Sequence, residues 1–231
     1  MSPLETNLNF VREKIKAAAL RAGRKENITL VAVTKTVGAP RVNEILALGV
    51  KDIGENRIQE ARIKFPELKK EKAAFHMIGH LQSNKVKDAV KLFDIIHSVD
   101  SLSLADAIDK ESAKAGKKMP CLIEVNIGSE ISKAGLKYED AKSFLKETVK
   151  YKNIRFEGLM TVAPIAESPE QVRPYFKKMK QLFDELKKTP EGANFKHLSM
   201  GMSQDYEAAI EEGATLVRVG SALFGSRTTG L

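Results

Sequence analysis

Eight short apolar segments, set apart by stretches of helical spacing, constrain the fold of this 231-residue chain more than any other feature. They cover residues 28–35, 52–56, 74–79, 95–99, 121–127, 155–161, 197–202 and 216–220, and most are rich in the β-branched residues that suit strands. Helix-like spacing fills 39–48, 57–68, 83–91, 102–115, 138–151, 169–188 and 204–212. Strands that alternate with helices predict parallel βαβ units. Eight of them fit an α/β fold of the closed (β/α)8, TIM-type barrel better than an open doubly wound sheet. The open sheet would usually carry a Gly-rich fingerprint after its first strand. Here that strand runs into Thr34-Lys35-Thr36-Val37-Gly38, which is neither G-x-G-x-x-G nor a Walker sequence.

Local signals support the alternation. Ser101 and Ser168, the latter followed by Pro169, read as helix starts, and Gly49, Gly116 and Gly213 as helix stops. Pro174 requires that its helix begin nearer Arg173 or be kinked. Ahead of the first strand, Leu4, Leu8, Val11, Ile15 and Ala18 recur at steps of four and three, which predicts an extra amphipathic helix stopped by Gly23. With no linker, repeat or low-complexity tract, residues 1–231 read as a single domain with 1–23 packed on the barrel.

Composition narrows the function classes. No apolar run reaches the ~18 residues of a membrane span, and Met1-Ser2-Pro3-Leu4-Glu5 lacks a signal-peptide layout. Cys121 is the single cysteine, set among apolar strand residues, so it reads as core and no intrachain disulfide is possible. A cytoplasmic location is expected. The net charge of +8 raises a nucleic-acid-binding protein as an alternative. Against it, the lysines of 142–152 and 177–188 are mixed with acids, the chain has no Trp, and its aromatics are not interleaved with basic residues.

In such a barrel the reactive groups lie at the carboxyl ends of strands. Alternation puts Val31, Val33 and Lys35 on one face of the first strand, so a lysine would end an inward apolar row. A desolvated lysine has a lowered pKa, and a neutral amine can attack an aldehyde; a lysine snorkelling at a strand end is the plainer reading. The segments 199–203 and 218–225 both carry Gly and Ser after the last two strands, the habitual phosphate site of this architecture. Leu216, Arg218 and Gly220 share a face, which aims an arginine into the barrel mouth, toward a pyridine nitrogen or a carboxylate from another strand. Lysine, phosphate donors and inward arginine together suggest a phosphorylated pyridine aldehyde.

The segments Val33-Thr34-Lys35-Thr36, Ile53-Gly54-Glu55-Asn56-Arg57-Ile58-Gln59-Glu60 and His76-Met77-Ile78-Gly79-His80-Leu81-Gln82-Ser83-Asn84-Lys85 resemble the pyridoxal 5′-phosphate (PLP) homeostasis protein family. So do Glu124-Val125-Asn126, Gly158-Leu159-Met160-Thr161, Ser199-Met200-Gly201-Met202-Ser203-Gln204-Asp205 and Arg218-Val219-Gly220. The likeness runs from about residue 28 to the end, with Ile53 where the family commonly has Phe. It implies a barrel similar to the alanine racemase N-terminal domain, with PLP held as a covalent aldimine on Lys35 and Arg218 facing the pyridine nitrogen. Ser203, with backbone amides near Met202, Gly220 and Ser221, would hold the phosphate; Asn56 would lie beside the ring, and His80 and Met160 would line the pocket.

The resemblance further implies storage, buffering or delivery of PLP in vitamin B6 homeostasis, with PLP-dependent apo-enzymes as recipients and no turnover of its own. A PLP-dependent amino-acid racemase is the alternative. Racemases of this kind use a tyrosine from a separate β domain as second acid/base, and a chain that stops at Leu231 leaves no room for one.

Overall fold

A computed structural model describes residues 1–69 and 73–225. Eight parallel strands close on themselves in sequence order, β1 (Thr29–Val33), β2 (Asp52–Glu55), β3 (Ala74–Met77), β4 (Ile95–Val99), β5 (Met119–Glu124), β6 (Ile154–Met160), β7 (His197–Ser199) and β8 (Leu216–Val219). The ring closes where Val31 of β1 stands against Arg218 of β8. The helices α2 (Ala39–Ala47), α3 (Ile58–Lys64), α4 (Val86–Leu92), α5 (Leu102–Lys114), α6 (Ala141–Glu147), α7 (Pro169–Lys187) and α8 (Tyr206–Glu211) follow the first seven strands in turn. The barrel expected from the alternation is the barrel observed.

Alternation along each strand separates two cores. Residues such as Ala32, Ile53, Ile96, Ile123 and Leu198 join the main core beneath the helices. Ile95, Leu122 and Met160, with Val162 beside them, form a separate small cluster on the inward positions. Polar side chains occupy other inward positions, among them His97, Ser199 and Arg218, all buried.

The extra helix is α1 (Pro3–Arg21), capped by Ser2 Oγ, which accepts from the Glu5 amide at 3.2 Å. Its buried residues are Leu4, Leu8, Val11, Ile15 and Ala18, the stripe read from the sequence. It packs on α8 and on the short α9 (Ser221–Phe224) that follows β8. Asn7 Nδ2 donates to Leu223 O at 2.9 Å, and Arg21 bridges Glu207 and Glu211 at 2.8 and 2.7 Å.

Several boundaries differ from expectation, three of them for stated physical reasons. β5 begins at Met119, ahead of Pro120, a residue that argues against a strand in sequence but here sits in the ladder against Arg155. β7 stops at Ser199 because Gly201 turns to φ +90°. Pro174 lies inside α7, which starts at Pro169 and not near Arg173. The carbonyl it leaves without a helical partner is that of exposed Glu170 in the first turn, where water can serve it.

Candidate functional site

Lys35 stands two residues beyond β1, half-buried, between buried Thr34 and exposed Thr36. The bend there is held on two sides. Thr36 has φ +63°, and its amide donates to Glu60 Oε2 at 2.8 Å. Beneath it, Thr34 Oγ1 and Lys64 Nζ both donate to Glu55 Oε1, at 2.6 and 2.5 Å, and Lys64 Nζ also donates to Thr34 O at 2.6 Å. Glu55 is fully buried and immediately precedes Asn56. One buried carboxylate thus ties the strand end bearing Lys35 to the strand end bearing Asn56. Burial pushes the Glu55 carboxyl up from its ordinary value, against the pull of the Lys64 and Thr34 hydrogen bonds.

Around the mouth from Lys35, Gly220 ends β8 beside β1, within reach of Val33. The amides of Gly220 and Ala222 both point at Ser203 Oγ, at 3.1 and 3.4 Å. A hydroxyl and two amides therefore meet between the β7 and β8 loops; here the amides are given to the hydroxyl, and an anionic oxygen would take the place of that acceptor. Ser221, between those amides, opens α9 and is exposed. The Met202 amide, expected to serve the same anion, is instead given to Asp205 Oδ1 at 2.6 Å, so in this structure it shapes the loop.

Arg218 is buried and projects inward as expected. Its Nη1 donates to Ser199 Oγ at 2.7 Å and its Nη2 to Thr161 O at 2.8 Å. Burial pushes its pKa down to about 10, with Glu124 and Asp205 pulling the other way, so the guanidinium stays charged at neutral pH. Asn56 and His80 line a cavity of about 490 Å³ over the β2 and β3 ends. His80 is exposed there, whereas Met160 is buried in the inward apolar cluster and forms floor beneath the mouth.

Asn56 Oδ1 and Glu124 Oε2 are among the buried oxygens at this end that lack a hydrogen-bond partner. Both suit a ligand that brings donors. Glu124 also borders a smaller cavity of about 150 Å³ with Lys133 and Val162.

The comparisons with known proteins fit this geometry. The family model for the alanine racemase N-terminal domain matches residues 6–228. The pyridoxal phosphate homeostasis protein of Aquifex aeolicus (strain VF5) is 46% identical over 221 residues, 95% of this chain and 96% of the relative. The chain belongs to the pyridoxal phosphate homeostasis protein family. PipY of Synechococcus elongatus PCC7942, solved with PLP bound, superposes with a TM-score of 0.80 at 34% identity, over 92% of this chain and 99% of that one. An alanine racemase from Clostridium difficile 630 shares the fold, with a TM-score of 0.76 at 21% identity, over 98% of this chain and 60% of that one.

For this member of the family, sequence reasoning missed Glu124, Ser199 and Thr161 as parts of the site. Glu124 follows Leu122 on the inward face of β5, and that polar interruption of an apolar row is a signal the sequence offers; β7 carries no such row, because its inward positions are His197 and Ser199. Glu124 carries a measurable consequence. Burial, with the Asp100 charge adding to it, raises its carboxyl to about 7, while Arg218 opposes. A raised folded-state pKa means the folded chain keeps a proton that the unfolded chain releases above its ordinary value of 4.5. The stability this group supplies is therefore complete below pH 4.5 and is lost as pH rises through about 7. Denaturation of the ligand-free chain at pH 5 and pH 8 should show Glu124→Gln removing up to about 3 kcal/mol of that loss. Parallel pH profiles for the two proteins would rule the assignment out.

Among the described residues no helix is long and apolar enough to cross a membrane. Cys121 is buried, and burial pushes its thiol up, away from reactivity.

Proposed function

We propose that this chain, acting as one unit over residues 1–231, holds PLP covalently on Lys35 in the cytoplasm and stores, buffers or delivers it for vitamin B6 homeostasis. The observation that carries this reading is the convergence of three parts at one end of the barrel: Lys35 after β1, the Gly220 and Ala222 amides directed at Ser203, and the inward Arg218 between them. PipY, a relative of the same length class, is solved with PLP bound. When bound, PLP supplies an aldehyde that condenses with an amine and releases water.

Each residue then has a task. Lys35 Nζ is the anchoring amine. Ser203 and the amides of Gly220 and Ser221 receive the phosphate, and Met202, its own amide held by Asp205, sets the loop in which Ser203 lies. Asn56 offers its unpartnered Oδ1 beside the ring. Arg218 has donors only, so it hydrogen-bonds a pyridine nitrogen without protonating it. That leaves the ring a poorer electron sink than a carboxylate partner would, which favours holding the cofactor over turning substrate over. PLP-dependent apo-enzymes are the recipients that delivery requires.

The test is a visible spectrum of the purified protein with PLP, before and after borohydride, beside Lys35→Ala. Wild type should show an absorbance band that borohydride bleaches, with the mass of one reduced PLP fixed on Lys35, and Lys35→Ala should show neither. A wild-type protein that stays colourless with added PLP would overturn the reading. Loaded protein should also leave the optical rotation of L-amino acids unchanged over hours, and a measurable loss would favour a racemase.

A further inference from the structure

A line of side chains runs from Arg218 across the barrel interior to its opposite end. Ser199 Oγ on β7 accepts from Arg218 Nη1 at 2.7 Å and lies 3.1 Å from His97 Nδ1 on β4. His97 Nε2 is 2.9 Å from His76 Nδ1 on β3, and His76 Nε2 is 3.0 Å from Asp52 Oδ1. Arg218, Ser199, His97 and His76 are all buried. Asp52 opens β2 at the end of the barrel away from Lys35, and its side chain is 27% exposed.

The proton order along this line is dictated from one end. A guanidinium has no acceptor, so Ser199 Oγ must accept from Arg218. The single serine proton is then the one available for His97 Nδ1. His97 therefore carries its own proton on Nε2 and gives it to His76 Nδ1. By the same step His76 carries its proton on Nε2 and gives it to Asp52. A carboxylate, which only accepts, is the terminus such a line requires. Both rings must be neutral, because a second proton on His97 would meet Ser199 with a donor and leave the serine proton no acceptor. Burial first, with the Arg218 charge adding to it, holds His97 well below the ordinary histidine range, as this order needs. Every bond dipole points the same way, between a cation and an anion, so each strengthens the next.

We propose that Ser199, His97, His76 and Asp52 are positioning residues, a one-way relay of hydrogen bonds that fixes the Arg218 guanidinium for the ring of the ligand above it. The ligand part rests on the PLP reading of the preceding section; the proton order does not. With Nη1 held by Ser199 and Nη2 by Thr161 O, the plane of the guanidinium is set from below, and the pocket meets a preformed donor.

Long-range nitrogen–proton NMR of the ligand-free, histidine-labelled full chain tests the relay alone. At pH 7 His76 and His97, assigned with His76→Gln and His97→Gln, should both be neutral with the proton on Nε2. Either ring cationic, or protonated on Nδ1 alone, overturns it. The positioning role is read from PLP binding by equilibrium dialysis and from the bound absorbance maximum. Ser199→Ala should weaken binding roughly tenfold and shift the maximum, and Ser199→Thr, which keeps the hydroxyl, should return to within about threefold of wild type. His97→Phe, which keeps a ring but no nitrogen, should act in the same direction and serves if Ser199→Ala does not fold. Wild-type affinity and spectrum in Ser199→Ala and His97→Phe would overturn the positioning role. Failure of wild type to take up PLP would sink the pocket reading instead, and the NMR result, obtained without ligand, would still decide the relay.

Discussion

Lys64→Met is expected to lower the free energy of unfolding by about 3–5 kcal/mol, a loss of roughly 10 °C in melting temperature. The lysine ammonium bonds Glu55 Oε1 and Thr34 O at once, and both partners are buried. Without it, Glu55 must keep an unpaired charge in the core or take up a proton, and Thr34 O loses a donor. The effect should reach the cofactor end, because Thr34 and Glu55 directly precede Lys35 and Asn56. On the function proposed above, PLP loading should therefore slow in the variant even under conditions where it remains folded. The pairing is tested by Glu55→Leu with Lys64→Met, which removes both charges and should regain most of the lost stability. If the double variant melts lower than Lys64→Met alone, the ion pair is not the source of the loss.

The second large effect belongs to Gly158→Ala. Gly158 stands beside His197 across β6 and β7 with φ +152°, and a Cβ there would lie 1.7 Å from His197 O and 2.7 Å from its carbonyl carbon. These are backbone atoms and no rotamer change relieves them, so the strands must part. A cost of about 4 kcal/mol or more follows from the clash together with the strained φ. Parting β6 from β7 also disturbs the Thr161 amide's bond to Ser199 O at 3.0 Å, and with it both seats of Arg218. Urea denaturation of the purified variant measures the loss, and a value within about 1 kcal/mol of wild type would show that the strands separate at little cost.

Much of this architecture was legible in the chain because each strand buries both faces. Such strands stand out as apolar runs, and the helices between them show their own spacing. Alternation alone placed Arg218 inward, and closure of the ring brought its strand beside β1, which leads to Lys35. What was not legible depends on neighbours in space. Lys64 looks like any charged helix residue until α3 is laid against β1 and β2. The Met202 amide could not be assigned to Asp205 without the loop's path. His97 and Ser199 sit 102 residues apart and meet only across the interior of a closed barrel. Pro174 misled through a general rule that the exposure of Glu170 relaxes.

The docking of α1 on α8 and α9 gives the molecule a history as well as a shape. Asn7 bonds Leu223, 216 residues later in the chain. A ribosome adding about 5–20 residues per second needs about 10–40 s to make that span. For that time the first helix has no surface on which to lay its Leu4, Leu8, Val11 and Ile15 stripe, and β1 has no β8. Lys35 is translated early and Arg218 late, so the two halves of the proposed ligand pocket meet only when synthesis is nearly over. Ligand capture by a nascent chain would therefore mark completion of the barrel, and until then the N-terminal stripe waits without its partner surface.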